Sequence, residues 1–281
     1  MRLSVFKAIA ASALAVIAMI SAASAADMAP RYTKAPVMAA VYDWTGFYIG
    51  GNAGYSWGRS RTDASFFNNT TNVLLATGST AFDMDGWVAG GQLGYNWQSA
   101  SWVFGLEGDA QGTGQKGSGG FICAGPICSA ANTAIAPLTL APVAVTFSQK
   151  LEWFSTIRGR VGYTFTPTVL GYVTGGAAIG GVNTNGVITG FAANGVASAA
   201  AFSGSDTRVG WTVGAGLEAS LGGNWTGKIE YLYMDFGKYT TTGVLLLNAP
   251  PIRVDLASRV TDNILRVGVN YKFGGPGIAK Y

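Results

Sequence analysis

The sequence predicts an all-β chain: a transmembrane, antiparallel, up-and-down β-barrel of eight strands with long extracellular loops. Three observations lead there. Segment after segment alternates strictly between apolar and polar residues, the period of a strand that faces two different environments. The aromatic residues gather at the two ends of each apolar face, as in the girdles at the two edges of a bilayer. The connections between segments run long, short, long, short along the chain.

Composition agrees with this reading. The 281 residues include 41 Gly and 12% aromatic residues, and only 11% are charged, where a water-soluble domain carries about a quarter. Beyond the N-terminal segment, no stretch reaches the ~18 uninterrupted apolar residues of a spanning helix. Such a chain is left with the other structure that satisfies its backbone in lipid, a closed barrel.

Residues 1–26 read as a secretory signal peptide, with Arg2 and Lys7 beside an apolar run and small residues at 21–26. Its removal takes the formal charge from +4 to about +2, so the basicity gives no reason to expect nucleic acid. Residues 27–43, with Pro30 and Pro36 and no periodicity, form a flexible periplasmic lead-in. The barrel is assigned to 44–273 and a C-terminal extension to 274–281.

The first strand, 44–59, sends Phe47, Ile49, Gly51, Ala53, Tyr55 and Trp57 to one face and Tyr48, Gly50, Asn52, Gly54 and Ser56 to the other. A polar loop is predicted at 60–82. The second strand turns Trp87, Ala89, Gly91, Leu93, Tyr95 and Trp97 outward. After a tight turn at 98–101, the third strand sets Trp102, Phe104, Leu106 and Ala110 against Glu107 and Asp109.

A long loop at 112–147 precedes the fourth strand. There Leu151, Trp153, Ile157, Val161 and Tyr163 are read as outward, and Lys150, Glu152, Arg158 and Arg160 as inward. The fifth strand, 169–180, has faces too alike to assign. Past another long loop, the sixth sets Val209, Trp211, Val213, Ala215 and Leu217 against Arg208, Thr212 and Glu218. The seventh sets Trp225, Ile229, Tyr231 and Tyr233 against Lys228 and Glu230, and the eighth alternates Leu265, Val267, Val269, Tyr271 and Phe273 with Arg266, Asn270 and Lys272. β-like runs at 143–147, 186–191 and 244–247 extend the hairpins or, alternatively, bring the count to ten.

The expected aromatic girdle is Trp44, Trp57, Trp87, Trp97, Trp102, Trp153, Trp211, Trp225 and Phe273. The expected lumen charges are Glu107, Asp109, Glu152, Arg158, Arg160, Arg208, Glu218, Lys228, Glu230 and Arg266. Two readings of this polar face compete: an ion-pair plug, or the charged lining of a passive pore. Side chains fill an interior of about eight strands, which favours the plug. No His is present, which removes the commonest general base and metal ligand. Glu107 and Asp109 share a face, but among so many cations they read as salt-bridged structure. Nothing in the sequence requires a cofactor. Cys123 and Cys128 have no further ligands nearby and suit a small loop disulfide in an exported chain.

Residues 42–55 (Tyr42 to Tyr55), 90–97 (Gly90 to Trp97), 172–178 (Tyr172 to Ala178) and 266–273 (Arg266 to Phe273) together resemble four strands of the alphaproteobacterial small outer-membrane proteins, the Omp25/Omp31-like immunogenic porin family. The resemblance implies a surface-exposed, antigenic barrel of the outer membrane with no catalytic residues. It implies contact with outer-membrane lipid and lipopolysaccharide, handling by the barrel-assembly machinery, and host or envelope partners met through the loops. Residues 274–281 depart from the family pattern, which ends at the last strand's aromatic residue.

Overall fold

Eight strands run through the residues that the computed structural model describes, 42–123, 143–191, 197–245 and 252–274. They are β1 (Gly46–Asn68), β2 (Leu74–Ser99), β3 (Trp102–Cys123), β4 (Val143–Thr166), β5 (Val169–Phe191), β6 (Ala197–Gly222), β7 (Trp225–Leu245) and β8 (Ile252–Lys272). Each pairs antiparallel with the next. β1 pairs with β8 as well, with Ile49 opposite Tyr271 and Gly51 opposite Val269, so the sheet closes into a ring. The signal peptide, the lead-in up to residue 41, the partner Cys128 and the extension past Gly274 lie outside the described residues.

Alternation decides which face meets lipid. Leu93, Leu106, Ile157, Val173, Val213, Ile229 and Val267 point outward and are exposed. Two rings of aromatics bound this band. Phe47, Trp97, Trp102, Tyr163, Trp225 and Phe273 lie toward the short turns; Tyr55, Trp87, Trp153, Trp211 and Tyr231 lie toward the other end. Rings meet edge to face across neighbouring strands, as in Trp102–Tyr163 at 5.4 Å and Trp225–Tyr271 at 5.1 Å. Trp87 and Trp97 are ten residues apart on β2. At the rise of a tilted strand that spacing matches an apolar band of about 25 Å.

The strands are 21 to 26 residues long, about twice what a membrane crossing needs. Within the regions read as loops, residues 60–68, 74–82, 112–123, 143–147, 181–191 and 197–206 belong to strands that continue past the upper girdle. Between β1 and β2 a five-residue connection remains, in which Asn68 Oδ1 accepts the N–H groups of Thr70 and Thr71 at 2.9 and 3.0 Å. Beyond the lipid the outer face is polar and the inner face mixes Ser60 and Thr62 with Phe82, Met84, Val145 and Phe147, so an apolar outward stripe no longer marks the strands while the backbone ladder goes on. The runs at 143–147 and 186–191 lengthen β4 and β5, and the ring holds eight strands, not ten.

Four residue assignments change. The β4–β5 register shifts between Leu151 and Trp153, and the facing β3 shifts between Gly112 and Gln115. Such a bulge flips the face of every residue beyond it. Leu151, expected outside, is fully buried, while Lys150 and Glu152 are exposed and pair with each other at 3.4 Å. Trp44, expected in the girdle, is 2% exposed and packs inside on Val103, Leu170 and Tyr172. It precedes β1, and its N–H donates to Gln98 Oε1 at 2.7 Å, which draws the ring into the mouth. Strand β5 sends Leu170, Tyr172, Thr174 and Ala178 inward and Val173 and Ile179 outward.

An arginine replacing Leu93 or Val213, both in the middle of the band, should lower stability by about 2–4 kcal/mol. Val187→Arg, ten strand residues beyond Ala177 of the upper girdle level, should leave it nearly unchanged. Urea titrations in lipid vesicles measure all three.

Candidate functional site in the barrel interior

Residues two apart on a strand share a face, so each strand delivers its inward charges as a short column. Strand β3 brings Glu107 and Asp109, β4 Arg158 and Arg160, β6 Glu218, β7 Lys228 and Glu230, and β8 Arg266. The registers set opposite signs side by side: Glu107 faces Arg158, Glu218 faces Lys228, and Glu230 faces Arg266. Directly opposed cross-strand pairs are in the best position to interact.

Arg158 is the hub. Its Nη2 donates to Glu107 Oε1 and, at 2.9 Å, to Asp109 Oδ2, and its Nη1 donates to Glu230 Oε1 at 3.1 Å. Arg266 spans the lumen from the other wall, with Nε 2.8 Å from Glu230 Oε2 and Nη2 2.8 Å from Asp109 Oδ2. Lys228 Nζ lies 3.0 Å from both Glu107 oxygens. Arg160 Nη2 reaches Glu218 Oε2 at 2.8 Å, and its guanidinium carbon sits 4.0 Å from the centroid of the Tyr172 ring. Four acids and four cations thus balance within one buried layer.

Neutral residues complete it. The Tyr48 hydroxyl donates to Glu107 Oε2 at 2.7 Å, and that of Tyr172 to Glu230 Oε1 at 3.1 Å. Glu218 Oε1 accepts from Thr226 at 2.6 Å and from Asn270 Nδ2 at 2.9 Å, and Gln92 Nε2 donates to Asn270 Oδ1 at 2.6 Å. Both tyrosines lie where a neighbouring strand has glycine. A Cβ at Gly216 would stand 2.6 Å from the Tyr172 ring, and one at Gly94 would collide with Tyr48.

Of the ten predicted lumen charges, eight meet here. Glu152 is on the outer face, moved there by the β4 bulge. Arg208 is buried but stands farther along the barrel, its guanidinium over the Tyr239 ring at 5.1 Å. Sequence reasoning placed Tyr48 on the polar face without a role and left Tyr172 unassigned. The usable signal was parity, since both occupy inward positions of their strands. Among the described residues no group of three His, Cys, Asp or Glu side chains is placed to hold a metal ion.

Apolar layers close the lumen on both sides of the charges. Toward the short turns lie Trp44, Val103, Leu170 and Tyr172, with Tyr42 packed on them. On the other side Leu151, Phe154, Leu232, Met234, Phe236 and Ile264 pack together, and Phe82, Met84, Val145 and Phe147 form a further cluster in the extension. Between dry layers a charge has no solvent to turn to, so pairing is obligatory.

Arg158→Ala takes one partner from each of three carboxylates, leaves the buried layer one positive charge short, and should cost about 3–5 kcal/mol, the usual penalty for breaking a buried pair. Glu152→Gln removes one partner of an exposed pair and should cost under ~1 kcal/mol. Unfolding curves of the two variants in the same lipid make the comparison.

Residues 12–273 match the family described as the outer membrane protein beta-barrel domain. The 31 kDa outer-membrane immunogenic protein of Brucella melitensis is 38% identical over 258 residues, covering 90% of this chain and 94% of its own. The 25 kDa outer-membrane immunogenic protein of Brucella abortus is 28% identical, covering 85% of this chain and 84% of its own. The 22 kDa outer membrane protein of Rhizobium leguminosarum bv. viciae is 31% identical, covering 72% of this chain and 69% of its own.

Proposed function

The chain belongs to the outer membrane protein β-barrel family, and from that footing we propose that it is a non-conducting structural barrel that displays its strand extensions and loops at the cell surface. It is a protein of the outer membrane. One observation carries the finer reading: the lumen is filled by a neutral network of four acids and four cations between apolar layers. A porin keeps hydrated charges along an open path. Here the charges are bonded to one another across the full width of the barrel, and Trp44 stands in the mouth.

The reading assigns the chain a role in holding the envelope together and, by likeness to the Brucella immunogenic proteins, a role as a surface antigen. Lipid and lipopolysaccharide surround the apolar band in this reading, the barrel-assembly machinery inserts the chain, and host or envelope partners meet the exposed ends. No residue is given a catalytic part.

Purified protein in a planar bilayer decides between plug and pore. The expected record shows no discrete conductance steps, and Arg158→Ala adds none while lowering stability. Regular steps in the unmodified protein, with an ion preference that Arg158→Ala shifts toward cations, would establish the passive porin instead.

A further inference from the structure

Past the upper girdle the barrel wall parts. Strands β6 and β7 pair from Gly222–Trp225 up to Trp211–Asp235, and there their ladder ends. Both strands go on. β6 stays bonded to β5 as far as Phe191–Ala197, and β7 to β8 as far as Leu245–Ile252. Among the described residues, no strand pairs with the facing edges of 197–210 and 238–245.

The parting is built into β7. A bulge between Asp235 and Lys238, with Gly237 at φ 68°, slips β7 by one residue against β8. Asp235 fixes the bulge, its Oδ1 accepting Gly237 N–H at 2.8 Å and Arg259 Nε at 3.3 Å. Tyr239 then reaches across the gap, its hydroxyl donating to Asp206 Oδ1 at 3.1 Å. Side chains, not backbone bonds, hold the two strands near each other at this level.

Parity tells which backbone groups face the gap. Ser220 N–H donates to Thr168 O on the β5 side, and the β5–β6 register runs unbroken from there to Ala197. The N–H and C=O of one residue point the same way and neighbours point oppositely, so even-numbered residues of β6 bond to β5. Ala199, Ala201, Ser203 and Ser205 direct theirs into the gap. On β7 the same count starts from Lys272 N–H to Asn224 O. Carried through the one-residue slip, it leaves Thr240, Thr242 and Val244 facing the gap.

Exposed strand edges are normally guarded by lysine, proline or bulges. Residues 197–205 of β6, Ala-Ser-Ala-Ala-Ala-Phe-Ser-Gly-Ser, carry no charge and no proline. We propose that this seam is a docking site for an extended, uncharged polypeptide segment of an extracellular partner, which adds to the β6 edge as a strand. A donor and an acceptor repeated every second residue match an extended backbone and not a sugar or an acyl chain. Ala201 and Ser203 also line a shallow groove of roughly 740 Å³ with Ser148, Asn185 and Val187, walls without charge that suit uncharged side chains. The β6 edge of a second barrel upright in the same membrane does not fit, because it runs toward the membrane in the same sense and two β6 edges cannot pair antiparallel.

The test uses the mature barrel in detergent micelles and a fluorescein-labelled heptapeptide copying residues 239–245, Tyr-Thr-Thr-Thr-Gly-Val-Leu, the segment β6 would meet if the seam were zipped. Saturable binding by anisotropy is expected. The double variant Ala201→Pro, Ser203→Pro removes two gap-facing N–H groups and none of the β5 ladder, and should bind at least ten-fold more weakly. Amide exchange on the unmodified protein keeps the test independent of that variant's folding. Ala199, Ala201, Ser203 and Ser205 should exchange fast, Ala200, Phe202 and Gly204 slowly, and the peptide should slow the odd set alone. Uniform protection without peptide, no saturable binding, equal binding of a scrambled peptide, or an unweakened proline variant would each overturn the proposal. So would lipopolysaccharide slowing the odd amides where the peptide does not.

Discussion

Lipid offers a peptide group no hydrogen bond, and the architecture follows from that. Each N–H and C=O within the band must find a partner on a neighbouring strand, so β1 returns to β8 and the ring has no edge there. A closed ring has an inside and an outside, and the outside must be apolar between its aromatic borders. Where the lipid ends, the requirement ends too. The wall then tolerates the bulge at Asp235–Lys238 and the separation of β6 from β7 above it.

The interior solves a different problem. Filling it with apolar side chains throughout would give the two faces of each strand the same character and leave register weakly specified. A charged layer removes that ambiguity, because a one-residue slip of β4 would put Arg158 and Arg160 into lipid. The layer is tolerable because its signs balance and each carboxylate is met from more than one strand. The dry layers beside it keep those pairs from being exchanged for solvent contacts.

The band-level fold was legible in the sequence because bilayer physics imposes both the period and the aromatic borders. The outward positions on β2, β3 and β6 and eight of the ten lumen charges follow from alternation alone. What failed has physical causes. The β4 bulge inverts Leu151 and Glu152, and nothing in the local composition marks where the extra residue sits. Trp44 was placed in the girdle for being a tryptophan near a strand end, yet it shares the parity of inward Tyr48 and packs inside, with its backbone N–H on Gln98. The extensions were mistaken for loops because their outer face is polar and the apolar outward stripe stops at the girdle, although the backbone remains in its ladder. The seam leaves no trace in hydropathy at all, since it depends on a glycine-bearing bulge in one strand only.

The lumen network has a consequence for how the chain reaches this state. Its bonds are long in sequence: Arg158 to Glu230 spans 72 residues and Asp109 to Arg266 spans 157. The β3–β4 hairpin sets Glu107 and Asp109 against Arg158 and Arg160 and balances itself, but β3 to β7 together carry four acids and three cations, so a sheet without β8 is one positive charge short. Contacts of such separation form slowly, because the chain loses the entropy of closing a large loop before the bond repays it. Arg266 arrives on β8, the last strand in the chain, and it alone reaches Asp109 and Glu230 from that side. The charged layer as a whole is therefore balanced only when Arg266 joins it, at ring closure by the final strand.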